Sequence, residues 1–474
     1  MKTRRILAAA LCVALLLSAL ALPASAMEST AQATPTSHDC ALVPIVWIEG
    51  FGQALFRDQG TPNERVQRPV NIAGLFRGLP GLIGGAFTTA FSFRPFQIPR
   101  LNLDPLARGI AGLLQHMTGH LQLDIYGQCM ASLTANWRID PNQCHQTNRQ
   151  FQFEHDYRMC PFVTASLLHD FIEALVEHTG HPRVALNTHS QGGVVAMAYL
   201  AVYGSDRVDT LVLSNSAFQG LRLVPPVLQG RFNLTPQAAA NLMRTSRFTN
   251  GIANVLQWLR VFNLTAPMST IFQDRLMPIL LEEYFMPMFG RFPSVWAFIP
   301  ADYFDEVASH FADDPQFEHI LAGARRYQEE VLLRAEELLL DAMDNGTHVA
   351  IVASYGRASI EFDGATTSRQ SDTLIETDLM SGGATVARFG QTLPGCVCVE
   401  VSRHRSPCGI IDASTAMLPD NTWFIKNNTH DHPVMRELHL WLIDSPVQPT
   451  VWDNEAFPQF LIAPGRNRPA IPLQ

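Results

Sequence analysis

The chain has 474 residues, 47% hydrophobic and 16% charged, with 34 Lys+Arg against 43 Asp+Glu and a formal charge of −9. This composition excludes disordered, collagen-like and low-complexity proteins and supplies ample apolar residues for a large core. The acidic balance argues against a nucleic-acid partner and against a polybasic membrane anchor.

Lys2, Arg4 and Arg5 precede an apolar run from Ile6 to Leu22, and Pro23-Ala-Ser-Ala26 supplies small residues for cleavage. Residues 1–26 therefore read as a secretory signal peptide rather than a membrane span. Its loss takes the formal charge from −9 to −12, because three bases and no acid leave with it. The expected location is outside the cell, with a lysosome-like organelle or a periplasm as alternatives. Residues 27–39 form a polar linker. Ala41 to Ile48 is a continuous apolar run ending in Glu49-Gly-Phe-Gly52, the profile of a buried parallel strand entering a tight turn. A stretch rich in Gly, Pro, Phe and Leu, about 57–125, mixes helical and loop character. Leu167 to His178 has helical spacing and is closed by Thr179-Gly180.

Arg183 to Asn187 reads as a second strand, Ser190 to Leu200 as the helix after it, and Val208 to Ser214 as a third strand. His348 to Tyr355 reads as a fourth. The region between the third and fourth lacks a strong strand signal and ends in an amphipathic helix from Gly323 to Met343. This alternation predicts an α/β fold with a mostly parallel central sheet, helices on both faces and a helical cap inserted between the later strands. The corresponding parts are a first core segment over 40–215, the cap over 216–345, a second core segment over 346–445 and a tail over 446–474.

Without the leader, Cys40, Cys129, Cys144, Cys160, Cys396, Cys398 and Cys408 remain, enough for three disulfides and one odd thiol. Cys396-Val-Cys398 lacks zinc-knuckle spacing, and disulfides are the favoured reading. No phosphate loop, dinucleotide fingerprint or His-Glu-x-x-His pattern appears, so no cofactor and no metal are expected. Asn233, Asn263, Asn345 and Asn427 head glycosylation acceptor sequences in a host that glycosylates exported proteins.

The strongest local signal is Asn187-Thr-His-Ser-Gln-Gly-Gly193, set between a strand and a helix. A Ser on such a turn is lifted above the sheet, and its neighbours must be small because the backbone bends sharply. Ser190 is therefore the candidate nucleophile, with Thr188 where a Gly is usual. Acyl transfer also needs donors where oxyanion charge develops. The Gln191 amide after the nucleophile and the Phe51 amide in the turn after the first strand are the candidates. An acid and a base should follow in that order. Asp372 in Gln370-Ser-Asp-Thr-Leu-Ile375 is preferred, with Asp363 and Asp378 competing. His430 and His432 both stand on the loop before a helix from Val434 to Ile443.

These pieces together resemble an α/β-hydrolase-fold lipase, most similar to the lecithin:cholesterol acyltransferase and lysosomal phospholipase A-like group. The resemblance is carried by Pro44 to Leu55, His155-Asp-Tyr-Arg158, Thr188-His-Ser-Gln-Gly192, Phe292 to Pro300 and His430-Asp-His-Pro-Val-Met435. It favours His430 over His432. Glu49, Tyr157 and Thr188 differ from the residues usual in that group. In a one-residue shift of register, Ser371 takes the place of the acid.

The resemblance implies a secreted serine lipase or esterase that cleaves lipid carboxylic esters through an acyl-enzyme on Ser190, with acyl transfer to an alcohol as a variant. The partner is a lipid or ester substrate, met at a lipid–water interface. The apolar stretches Ile72–Phe87, with Phe91, Phe93 and Phe96 beyond it, and Leu276–Phe289 suit such a substrate, although packing of cap on body accounts for each equally well. A hydrolase of non-lipid esters and an inactive binding protein are the alternatives. Oligomeric state is not legible.

Overall fold

The computed structural model describes residues 42–91, 102–231, 272–362, 367–394, 403–430, 435–465 and 468–474. The signal-like leader, the linker, Phe93, Phe96, Cys40, Cys396, Cys398, Asn233, Asn263, Asp363 and His432 lie outside them.

Runs of Val, Ile, Leu and Ala without polar interruption make the middle of one sheet, because strands covered on both faces need apolar side chains on both. Its strands are β1 (Ile45–Ile48), β2 (Gln150–Gln152), β3 (Val184–His189), β4 (Val208–Ser214), β5 (His348–Tyr355), β6 (Thr422–Lys426), β7 (Phe460–Ile462) and β8 (Ile471–Pro472), in spatial order β8-β7-β6-β5-β4-β3-β1-β2. Every pairing is parallel except β8 on β7. The segment expected to be a tail therefore supplies two strands, the edge strand β8 and its neighbour β7. Among the longer helices are α1 (Ile72–Phe91), α2 (Asp104–Thr118), α3 (Pro161–Thr179), α4 (Gln191–Tyr203), α5 (Ala301–Phe311), α6 (Glu318–Tyr327), α7 (Ala335–Asp344) and α8 (Arg436–Asp444).

Pro161 opens α3, where a missing N–H costs nothing, and Gly180 closes it at φ 70°. The single amphipathic helix expected over 323–343 is instead α6, a π turn over Gln328–Leu332 and α7. The fully enclosed Gln328 amide donates to the Ile299 carbonyl at 2.8 Å, a tertiary bond that helical periodicity does not encode. The described part of the region between β4 and β5 is helices joined by turns, without a strand, and packs on α2: Leu276, Met277, Leu280 and Tyr284 share one apolar cluster with Ile110, Leu114 and Met117.

The mixed stretch before β2 resolves into α1 and α2, an antiparallel pair joined at a seam of glycines. A Cβ at Gly74 would stand 2.0 Å from the His116 carbonyl oxygen, one at Gly78 2.6 Å from the Leu113 Cα, and one at Gly85 2.1 Å from the Pro105 oxygen. Gly74, Gly78 and Gly85 thus face inward. Phe76 and Phe87 are 71% and 61% exposed, and Leu79 and Ile83 also reach solvent.

Cys129, Cys144, Cys160 and Cys408 are free thiols. The expected disulfides do not form among the described residues: Cys129 Sγ instead accepts hydrogen bonds from Arg158 (3.2 Å) and from the Leu133 amide (3.3 Å). No helix there is long and apolar enough to cross a membrane, and no group of three or more His, Cys, Asp or Glu could hold a metal ion.

At Gly192 the first turn of α4 lies on β1, and a Cβ would meet the Ile48 carbonyl oxygen at 2.1 Å. Gly192→Ala is expected to destabilise the protein by about 1–3 kcal/mol through overpacking. Gly84→Ala, which points into open space on α1, should be neutral or gain up to about 1 kcal/mol of helix propensity. Equal denaturant midpoints for the two variants would contradict this packing.

Candidate active site

The C-terminal ends of β1, β3 and β6 converge on one point above the sheet, where ligands bind in open α/β folds. β3 ends at His189, and Ser190 turns the chain into α4 at φ 55° and ψ −118°. That left-handed conformation costs a non-glycine residue about 1–3 kcal/mol and persists only where the surroundings fix it. They do so closely. A Cβ at Gly193 would be 1.8 Å from Ser216 Oγ, and one at Gly50 would be 2.5 Å from the Ser190 Cβ. The Ser190 N–H donates to the Asn215 carbonyl at 3.1 Å. Thr188 fits where a Gly is usual because it is fully buried and its hydroxyl donates to the Val212 carbonyl at 2.9 Å.

His430 lies just past β6, on the loop that begins with Asn427 at φ 63°. Its Nε2 stands 3.0 Å from Ser190 Oγ and its Nδ1 2.6 Å from Asp372 Oδ2. A carboxylate oxygen can only accept, so Nδ1 carries the proton and Nε2 presents its lone pair to the serine hydroxyl. Asp372 is fully buried, and its Oδ1 accepts from the Leu374 and Ile375 amides at 2.9 and 2.8 Å. The apolar pair after Asp372 thus supplies backbone donors that aim the carboxylate, while Thr373 takes φ 97° to make the turn.

The rival acids are placed elsewhere. Asp378 forms a two-pronged ion pair with Arg222 at 2.9 and 2.7 Å. Ser371 donates to the Arg357 carbonyl and accepts from the Thr373 amide.

Phe51 sits in the turn that passes Ser190, its ring 4.6 Å from that of Tyr157. Gln191 is the first residue of α4, where helix amides have no intrahelical partner. Its side chain donates to the Tyr157 carbonyl at 2.7 Å. Tyr157 thus touches both expected oxyanion residues, a part of the His155–Arg158 motif that the sequence did not reveal. Arg158 is fully enclosed and structural: it pairs with Asp156 and donates to the Leu121 and Leu133 carbonyls at 2.7 and 3.2 Å. His155 accepts from Gln53 at 3.3 Å, and burial pushes its imidazole down to about 4. Burial also raises the Glu49 carboxyl against the pull of its hydrogen bond with Trp47.

Three comparisons bear on this arrangement. Residues 141–312 match a family described as the alpha/beta hydrolase fold. A crystal structure of the Tle4-Tli4 complex is similar at 14% identity and a TM-score of 0.23, over 41% of this chain and 49% of that chain. The chain thus aligns with about half of that protein's length, a likeness too slight to carry an argument. No curated protein matches. The eight-stranded sheet and the family match give the chain the α/β-hydrolase fold, and that fold supports hydrolase activity in general.

Glu376, on the same loop as Asp372, is 1% exposed, and burial pushes its carboxyl up to about 7 against the pull of the Arg222 cation. Its folded value lies above its unfolded one near 4.5. The resulting stabilisation is complete below the unfolded value and fades as pH rises through the folded one. Glu376→Gln removes that titration. Thermal melts at about pH 5 and about pH 8.5 should show a smaller difference for the variant than for the wild type. An equal difference would mean that Glu376 does not titrate as described.

Proposed function

We propose that the chain is a serine hydrolase of carboxylic esters, acting on acylglycerols or phospholipids through an acyl-enzyme on Ser190. The observation that carries this reading is the unbroken contact from Asp372 through His430 to Ser190 Oγ, at 2.6 and 3.0 Å.

His430 Nε2 takes the Ser190 proton as Oγ attacks the ester carbonyl, and Asp372 holds the imidazole tautomer and stabilises the imidazolium. The Phe51 and Gln191 amides stabilise the tetrahedral oxyanion. His430 then passes the proton to the departing alcohol, and water or a lipid hydroxyl, deprotonated by the same imidazole, releases the acyl group. Hydrolysis and acyl transfer differ only in that acceptor.

Lipid esters are favoured over soluble ones by α1. Phe76, Leu79, Ile83 and Phe87 recur at helical spacing on a face turned to solvent. Residues 65–91 also carry Arg65, Arg68 and Arg77 with no acid, in a chain of net charge −9. An apolar stripe flanked by cations suits an anionic lipid surface. The leader-like residues 1–26 and the resemblance to the lecithin:cholesterol acyltransferase-like group support an exported, lipid-directed enzyme.

Ser190→Ala and His430→Ala should each lower ester hydrolysis at least about 10³-fold. A fluorophosphonate probe should label wild type on Ser190 and leave Ser190→Ala unlabelled. A folded wild type that stays unlabelled, with and without detergent, would sink the enzyme reading. Separately, Phe76→Asp with Phe87→Asp should reduce turnover of anionic phospholipid vesicles about tenfold or more while soluble short-chain esters are still cleaved. Equal turnover of vesicles by both proteins would favour non-lipid esters.

A further inference from the structure

His189, the residue before the nucleophile, makes a contact that the reaction scheme above does not use. Its Nε2 lies 2.7 Å from the backbone carbonyl oxygen of His430. That oxygen can only accept, so Nε2 of His189 carries a proton. The ring lies between two others, parallel to Trp47 at 6.4 Å and against the His430 ring at 4.7 Å. Its Nδ1 faces the β1 turn, 3.6 Å from where a Cβ on Gly50 would stand.

The consequence falls on the backbone of His430. Its N–H donates to the Asp372 carbonyl at 2.8 Å, and its carbonyl accepts from His189 at 2.7 Å. The peptide groups on both sides of the His430 Cα are therefore tied, one to the loop of the acid and the other to the strand of the nucleophile. With both held, the imidazole reaches Ser190 Oγ and Asp372 Oδ2 from a fixed root.

The geometry points to His189 as a positioning residue, a hydrogen-bonded strut that sets the distance between the nucleophile and its base. This inference rests on the reading of Ser190 and His430 as nucleophile and base. Burial, then the nearby His430, push the His189 imidazole down to about 3. It therefore stays neutral and keeps the Nε2 proton that the strut requires, without adding a cation beside His430.

The test compares three substitutions in the full chain. Gln places a side-chain N–H about as far from Cα as the Nε2 of His, so His189→Gln can remake the bond. His189→Asn is polar but too short to reach the His430 carbonyl, and His189→Phe fills the space without a donor. Each is assayed for folding by near-UV circular dichroism and melting, for the rate of fluorophosphonate labelling at Ser190, and for kcat and KM on a soluble ester.

His189→Asn and His189→Phe should keep KM near wild type while kcat and the labelling rate fall about 10–100-fold, the scale of a misplaced catalytic group. His189→Gln should return to within several-fold of wild type. The proposal is overturned if folded His189→Asn labels at the wild-type rate, or if folded His189→Gln is as slow as His189→Asn. Wild type that fails to label at Ser190 would overturn the nucleophile reading itself, a result separate from either of these.

Discussion

One left-handed residue organises this molecule. Ser190 leaves β3 at φ 55° and begins α4 in the next step, and nothing intrinsic to serine favours that conformation. The surroundings impose it by leaving no room for another. Gly50, Gly192 and Gly193 sit where even a methyl group would collide with Ser190, with the Ile48 carbonyl or with Ser216. β1, β3, β4 and α4 are therefore packed closely around this one turn. The sheet order that brings β1 beside β3 is what makes this enclosure available.

The His430 loop is fixed more lightly, and by polar contacts. The Asp372 carboxylate, the Asp372 carbonyl and the His189 ring each hold one group of His430. Dense packing fixes the strained serine, and hydrogen bonds fix the histidine beside it. A bonded loop can adjust by tenths of an ångström. A glycine-lined turn cannot.

The middle of the sheet was legible in the sequence because β1, β3, β4 and β5 are apolar on both faces. β2 reads Gln-Phe-Gln, and β7 and β8 have only three and two residues. Such strands exist by pairing with a neighbour, and no local pattern announces the neighbour. Ser190 was legible because strand, turn and helix are adjacent in sequence. Asp372 and His430 followed from chain order, and only their spatial meeting separates them from the rival carboxylates. His189 carried no signal. Its partner is a carbonyl 241 residues away, and a histidine beside a serine says nothing of where its ring will lie. The break between α6 and α7 was hidden for a related reason, since a π turn bound to Ile299 depends on a distant carbonyl.

The glycine seam beneath α1 inverts the ordinary grammar of an amphipathic helix. Gly74, Gly78 and Gly85 face the protein while Phe76 and Phe87 face water, so a reader who seats helices by their bulky apolar side would mount this one backwards. Drift in the sequence should follow the same inversion. Phenylalanines on the outer face can be exchanged for other greasy residues with little consequence, whereas a single added carbon at Gly74 or Gly85 drives two backbones apart. For this helix, the quiet positions are the ones that carry the shape.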